Sequence, residues 1–161
     1  MDEKVYELLN KLNIEYEVFK HQPLFTCEDV KMCDLKLDGL DCKNLFVRND
    51  KKTKYYLISL PAEKQVNIKQ IAQCLKEKRF SFASDTDLQN ILKVQSGSVS
   101  MFNLINCIDE RVKYIIDNDI LKNDKVCFHP NTNDKTIILN SKDINIILDE
   151  LNIKYIAIDI A

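Results

Sequence analysis

Glycine is nearly missing from this sequence: among 161 residues only Gly39 and Gly97 are glycine. That excludes the glycine-rich cradles of dinucleotide and P-loop sites, neither of which can be written with two. No apolar run approaches the roughly 18 residues that a membrane-spanning helix needs. The six cysteines (27, 33, 42, 74, 107 and 127) contain no C-x-x-C pair. The two histidines, His21 and His129, do not stand at metal-ligand spacing, so the thiols read as small buried hydrophobes and neither metal nor cofactor is expected. Arginine is scarce too, with only three among 23 basic residues. Against 25 acidic residues the net charge is -2 and the pI about 5.7. A protein that tracks phosphates over a broad basic surface looks different, so neither DNA nor a membrane is an expected partner. The opening Met1-Asp2-Glu3-Lys4-Val5 is too acidic and broken for a targeting signal, and the cytoplasm is the expected compartment.

What is present suits one ordinary globular domain over residues 1–161, with 45% apolar and 30% charged residues. Three segments carry apolar residues at i, i+3, i+4, i+7: Val5 to Leu12, Ile68 to Leu75 and Ile144 to Leu151. Each predicts an amphipathic helix, with Asp2, Asn67 and Ser141 as N-caps. A shorter helix is predicted over Asp87 to Leu92, capped by Ser84 or Thr86, and another beginning at Thr26. Between them lie eight β-like runs: Glu15–Lys20, Asn44–Arg48, Tyr55–Leu60, Phe80–Ala83, Arg111–Ile116, Lys125–Phe128, Thr136–Leu139 and Tyr155–Ile158. Asp50-Lys51-Lys52-Thr53 joins the second and third as a hairpin without glycine. Many strands with few crossover helices predict an α/β (α+β) fold with a mixed, largely antiparallel sheet flanked by helices. Leu12-Asn13-Ile14 and Leu151-Asn152-Ile153 echo each other, as a reused helix–Asn–strand unit.

Three places could carry chemistry. The loop Gln95-Ser96-Gly97-Ser98-Val99 can present backbone N–H groups to an oxyanion, or be a simple turn. Phe128-His129-Pro130-Asn131 forms a rigid polar corner where His129 can orient or protonate a group, or be satisfied by neighbouring backbone. Lys43-Asn44 precedes a strand, where a lysine can anchor a phosphate or simply be solvated. No Ser, Cys or Thr has an identifiable His partner, which speaks against a nucleophile–base pair.

Taken in order, Gly39-x-x-x-Lys43-Asn44-Leu45-Phe46, Phe80-Ser81-Phe82-Ala83-Ser84, Gly97-Ser98-Val99-x-x-Phe102 and Phe128-His129-Pro130-x-x-Asn133-x-x-Thr136 resemble the YbaK/ProX family. These are prolyl-tRNA-synthetase-associated editing domains. The likeness runs through Phe25, Thr26 and Glu28 and covers essentially the whole chain. It is greatest to the freestanding ProX/PrdX branch, which deacylates alanyl-tRNA carrying the proline anticodon. The resemblance implies a mixed sheet curled around a small pocket and hydrolysis of a mischarged aminoacyl-tRNA ester. It implies that Lys43 contacts the tRNA 3′ end, followed by Asn44 in the same motif. Gly97 and Ser98 would face the aminoacyl ester, with Phe128 and His129 beside the amino-acid pocket, and Asn133 and Thr136 completing the corner. The implied partner is the acceptor end of mischarged tRNA(Pro), with prolyl-tRNA synthetase as a further candidate. Met101 and Asn103 stand where the family loop commonly has Pro and Gly, and Lys93 replaces a glycine. Those departures leave Ala-tRNA(Pro), another substrate such as Cys-tRNA(Pro), and a non-catalytic aminoacyl-tRNA or amino-acid sensor as the readings to separate.

Overall fold

The computed structural model describes residues 2–22 and 39–161. Phe25, Thr26 with its expected helix, Cys27, Glu28 and Cys33 fall outside the described residues.

All eight strands form where alternation and β-branched content predict them. They are β1 (Tyr16–Lys20), β2 (Leu40–Asn49), β3 (Tyr55–Pro61), β4 (Phe80–Phe82), β5 (Val112–Asp117), β6 (Lys125–Phe128), β7 (Lys135–Asn140) and β8 (Tyr155–Ile158). They make one mixed sheet in the order β1-β7-β6-β2-β3-β5-β8, with β4 also on β2. Among the described residues four pairings are antiparallel and three parallel.

Strand β2 organises the sheet. Leu40 and Asp41 run parallel to Val126 and Cys127 of β6. Cys42 to Arg48 pair antiparallel with β3, and Val47 to Asn49 with β4. The strand starts four residues before its apolar run because Gly39 lets β6 approach. A Cβ at Gly39 would stand 3.1 Å from Cys127 Sγ and 3.3 Å from the Lys125 backbone.

Side chains alternate across β2, so its two faces serve two cores. Cys42 and Phe46 join the larger core with Val5, Leu9, Phe102, Phe128 and Ile144. Val47 joins the other with Tyr56, Ile58, Leu60, Ile71 and Ala72. Strand β3 is buried along its whole length, as a strand covered on both faces must be.

The amphipathic segments fold as α1 (Glu3–Lys11), α2 (Ile68–Cys74) and, near the end, Asp143–Glu150. Two of the three expected caps differ. Asn67 accepts from the Gln70 N–H at 3.2 Å. Asp2 sits at the N-cap of α1, yet its carboxylate pairs with Lys135 Nζ at 2.6 Å instead. Ser141 donates its hydroxyl to the Asn123 carbonyl, and Lys142 takes the cap position. In both cases a long-range partner outcompetes the local cap. Asn13 (φ 55°) and Asn152 (φ 56°) are both left-handed. The next residue's N–H reaches back into each helix, Ile14 to Leu9 O at 3.0 Å and Ile153 to Leu148 O at 2.9 Å, which is a Schellman closure.

Ser84 caps the short α3 (Asp85–Asp87) through a capping box, and a π-helical turn, Leu88–Leu92, follows. That turn ends at Lys93, with φ 62°, a conformation glycine adopts at no steric cost. Two short elements carry too little periodicity to be legible: the 3₁₀ turn Met101–Ile105, and α4 (Asn118–Lys122), capped by Asp117. The last helix is thus α5. The β2–β3 hairpin needs no glycine because Asn49 Oδ1 accepts from the N–H groups of Thr53 (2.8 Å) and Lys54 (3.1 Å). No helix among the described residues is long and apolar enough to cross a membrane.

Candidate active site

The loop after Lys93 is shaped by its backbone. Gly97 has φ 93°, a region closed to most L-residues. Ser98 N–H donates to Gln95 O at 3.1 Å. The N–H groups of Gly97 and Val99 make no hydrogen bond among the described residues.

Two of the three departures from the family pattern, Met101 and Asn103, occupy the inside of this loop. Met101 is buried in the larger core. Asn103 is wholly buried. Its Oδ1 accepts from Ser100 N–H at 2.7 Å, and its Nδ2 donates to Ser98 O at 3.2 Å and to Asn131 Oδ1 at 2.7 Å. A glycine has no such side chain, so Asn103 supplies a fastening of its own between this loop and the polar corner. The Phe102 and Phe128 rings meet edge to face at 6.2 Å beneath the same junction.

In the corner, Asn131 is left-handed (φ 63°) and buried, and among the described residues neither its Nδ2 nor the buried Thr132 Oγ1 has a hydrogen-bond partner. Phe128 is buried in the larger core, so its ring has no exposed face. His129 Nδ1 donates to Lys135 O at 3.1 Å, which leaves Nε2 as an acceptor. Burial holds the His129 pKa below its ordinary value near 6.5, so the ring is neutral at pH 7. His21 stands edge-on to it at 6.4 Å and accepts at Nε2 from Thr136 Oγ1 at 2.8 Å. Asn133 is half-buried and makes no side-chain hydrogen bond among the described residues.

Asp41 joins this cluster, and the sequence motifs pass over it. Burial pushes its carboxyl up, opposed by the fields of His129 and His21. An aspartate within a β-strand runs against strand propensity, and that was the available signal. Lys43 lies two residues on, on the same face of β2. Its Nζ donates to the Lys64 carbonyl.

Asn44 points the other way. Its Oδ1 accepts from Ser59 Oγ, which in turn accepts from the buried Tyr114 hydroxyl at 2.7 Å. Lys43 and Asn44, adjacent in sequence, therefore serve opposite faces of the sheet. Burial drives the Cys42 thiol well above its ordinary pKa, which makes it a poor nucleophile. Cys127 is buried with it, whereas Cys74 is exposed, contrary to the expectation of buried thiols. Among the described residues no three His, Cys, Asp or Glu side chains stand close enough to hold a metal ion.

Residues 21–146, which include Lys43, the Gly97 loop and the His129 corner, match the aminoacyl-tRNA editing domain. The chain belongs to that family. The family's chemistry is hydrolysis of an aminoacyl ester, which makes the chain an aminoacyl-tRNA deacylase. It is 31% identical over 146 residues to the prolyl-tRNA editing protein ProX of Acetoanaerobium sticklandii, covering 89% of each chain. It is 33% identical over 139 residues to prolyl-tRNA synthetase associated domain-containing protein 1 of Mus musculus, covering 84% of this chain and 82% of that one. Among solved structures, a candidate trans-editing enzyme for prolyl tRNA synthetase superposes with a TM-score of 0.72 at 13% identity. It covers 98% of this chain and 94% of that one, and shares the editing-domain fold.

Proposed function

We propose that this protein is a trans-editing enzyme that hydrolyses mischarged tRNA(Pro) in the cytoplasm, with alanine as the amino acid it releases. The observation that carries the reading is the fastening of the Gly97 loop to the His129 corner through Asn103 and Asn131. It holds two backbone donors rigidly beside a polar corner. The similarity to ProX over most of both chains supports the tRNA.

An aminoacyl ester is already activated, so its hydrolysis needs positioning and oxyanion support more than a strong nucleophile. In this mechanism the N–H groups at Gly97 and Val99 polarise the ester carbonyl, and Ser98, whose own N–H closes the turn onto Gln95, shapes the loop. Lys43 leaves the Lys64 carbonyl to hold the 3′-terminal phosphate or ribose as a point charge. Water attacks the carbonyl carbon, oriented with the help of the substrate's own ribose hydroxyl. The ester C–O bond breaks, and the ribose oxygen leaves with a proton. His129 and Asn133 border the amino-acid pocket from the corner. Phe128 backs that pocket through Phe102 rather than lining it, because its own ring is buried. Asn44 supports the strand from the opposite face. A small cavity admits alanine and strains against larger side chains. Prolyl-tRNA synthetase, which recharges the freed tRNA, is the natural protein partner.

The test is release of the amino acid from pre-charged Ala-tRNA(Pro), Cys-tRNA(Pro) and Pro-tRNA(Pro). Rapid release from the first, with sparing of the third, is expected. Faster release from Cys-tRNA(Pro) reassigns the amino acid, and binding without turnover overturns the enzyme reading in favour of a sensor.

A further inference from the structure

The chain's charge is unevenly placed. Residues 50–54 and 67–82 together hold seven cations and two carboxylates, net +5, in a chain whose total is -2. Folding brings these segments together at the far end of β2 from Lys43. The β2–β3 turn, α2 and the start of β4 enclose a groove of about 400 Å³ lined by Asp50, Ile68, Lys69, Lys78, Arg79 and Phe80. Lys51 and Lys52 follow Asp50 in the exposed turn.

The cations here differ from those elsewhere in the molecule. Arg48, Lys64, Arg111 and Lys135 each pair with a carboxylate. Lys51, Lys52, Lys69, Lys78 and Arg79 are all exposed and pair with none among the described residues. Of the nearby carboxylates, Glu77 accepts from the Tyr56 hydroxyl at 2.6 Å, which leaves Asp50 as the one anion among the described residues that line the groove. Phe82 stands two residues from Phe80 on the same face of β4, 56% exposed, opposite Val47 and so between the groove and Lys43. Unpaired cations flanking an exposed aromatic suit a phosphodiester backbone with bases to stack.

We propose that this groove is a second RNA contact, which holds the phosphates of the tRNA acceptor arm while Lys43 holds the 3′ end. The proposal rests on the deacylase reading above. Val47 and Phe80 are buried on that face under α2, so a strand of RNA running from the groove toward Lys43 passes over the exposed Phe82 of β4. Lys43 and Asn49 are six strand residues apart, about 20 Å. That is the rise of roughly six stacked nucleotides. A surface confined to one groove also explains how an acidic protein takes an RNA substrate.

The experiment compares the wild type with Lys69→Ala/Lys78→Ala/Arg79→Ala and with the control Lys142→Ala/Lys154→Ala. Binding of an uncharged acceptor-stem RNA hairpin is titrated between 50 and 200 mM salt, and thermal midpoints verify that each variant is folded. Three lost phosphate contacts should lower the slope of log K against log salt by about 2 to 3. Affinity should then fall by roughly 20- to 40-fold less across that range than in the wild type. The control should follow the wild type. A folded triple variant with the wild-type slope overturns the groove assignment and leaves the deacylase reading standing. A wild type that neither binds the hairpin nor hydrolyses aminoacyl-tRNA overturns both.

Discussion

Asn103 and Asn131, 28 residues apart, meet through a 2.7 Å hydrogen bond from Nδ2 to Oδ1 in the buried interior. One side chain thereby ties the Ser100 N–H, the Ser98 carbonyl and the polar corner into a single unit. A loop without Pro or Gly at its far end is held by hydrogen bonds rather than by restricted backbone angles.

Replacing Asn103 by Ala breaks all three bonds and strands the Ser100 N–H inside the protein. The expected loss is about 2–4 kcal/mol of stability, read from denaturant midpoints, together with slower ester hydrolysis. A loss under about 0.5 kcal/mol, the scale of a neutral surface change, would show that the loop does not depend on this fastening.

Lys43→Ala should separate activity from stability. The side chain is half-buried and its one hydrogen bond among the described residues goes to the Lys64 carbonyl, so the melting midpoint should hardly move. Hydrolysis of the charged tRNA should fall by about 100-fold, the scale of a misplaced substrate. Full activity in the variant removes Lys43 from the mechanism.

His129 makes the fold sensitive to mild acid. Its folded pKa lies below the ordinary value near 6.5, so as pH falls the unfolded chain takes up the proton first. Stability is fully present above about 6.5 and declines below it, until the folded imidazole is protonated too. Asp41 has the opposite sense: its raised pKa weakens the fold as pH climbs above 3.8. Asp2, Asp87 and Asp109 have lowered pKa values, and their contributions fade only as pH approaches and falls below 3.8. Between pH 7 and 5 the unfolding free energy of His129→Gln should therefore fall less steeply than that of the wild type. Parallel slopes in denaturant titrations would count against a buried neutral His129.

Asn152 tests the helix closure by backbone conformation alone. At φ 56° an alanine is strained by about 1–2 kcal/mol, whereas glycine is not. Asn152→Ala should melt earlier and Asn152→Gly should not. Equal melting of the two would mean that the αL geometry is not what closes α5.

Local sequence determined a great deal of this protein. Alternation and 3.6-residue periodicity placed eight strands and the amphipathic helices, because side-chain direction repeats with the backbone. Asn at 13 and 152 marked both helix ends, because Asn tolerates a left-handed turn. Four motifs in fixed order carried the family. Tertiary structure decided the rest, and each case involves a partner distant in sequence. Asp2 and Ser141 read as caps until Lys135 and the Asn123 carbonyl claimed them. Asn103 read as a departure until Asn131 lay beside it. Asp41 had no standing until burial beside His129 shifted both their pKa values. Hydrogen bonds and fields act over a few ångströms of space, and the chain folds distant residues into that range without announcing which.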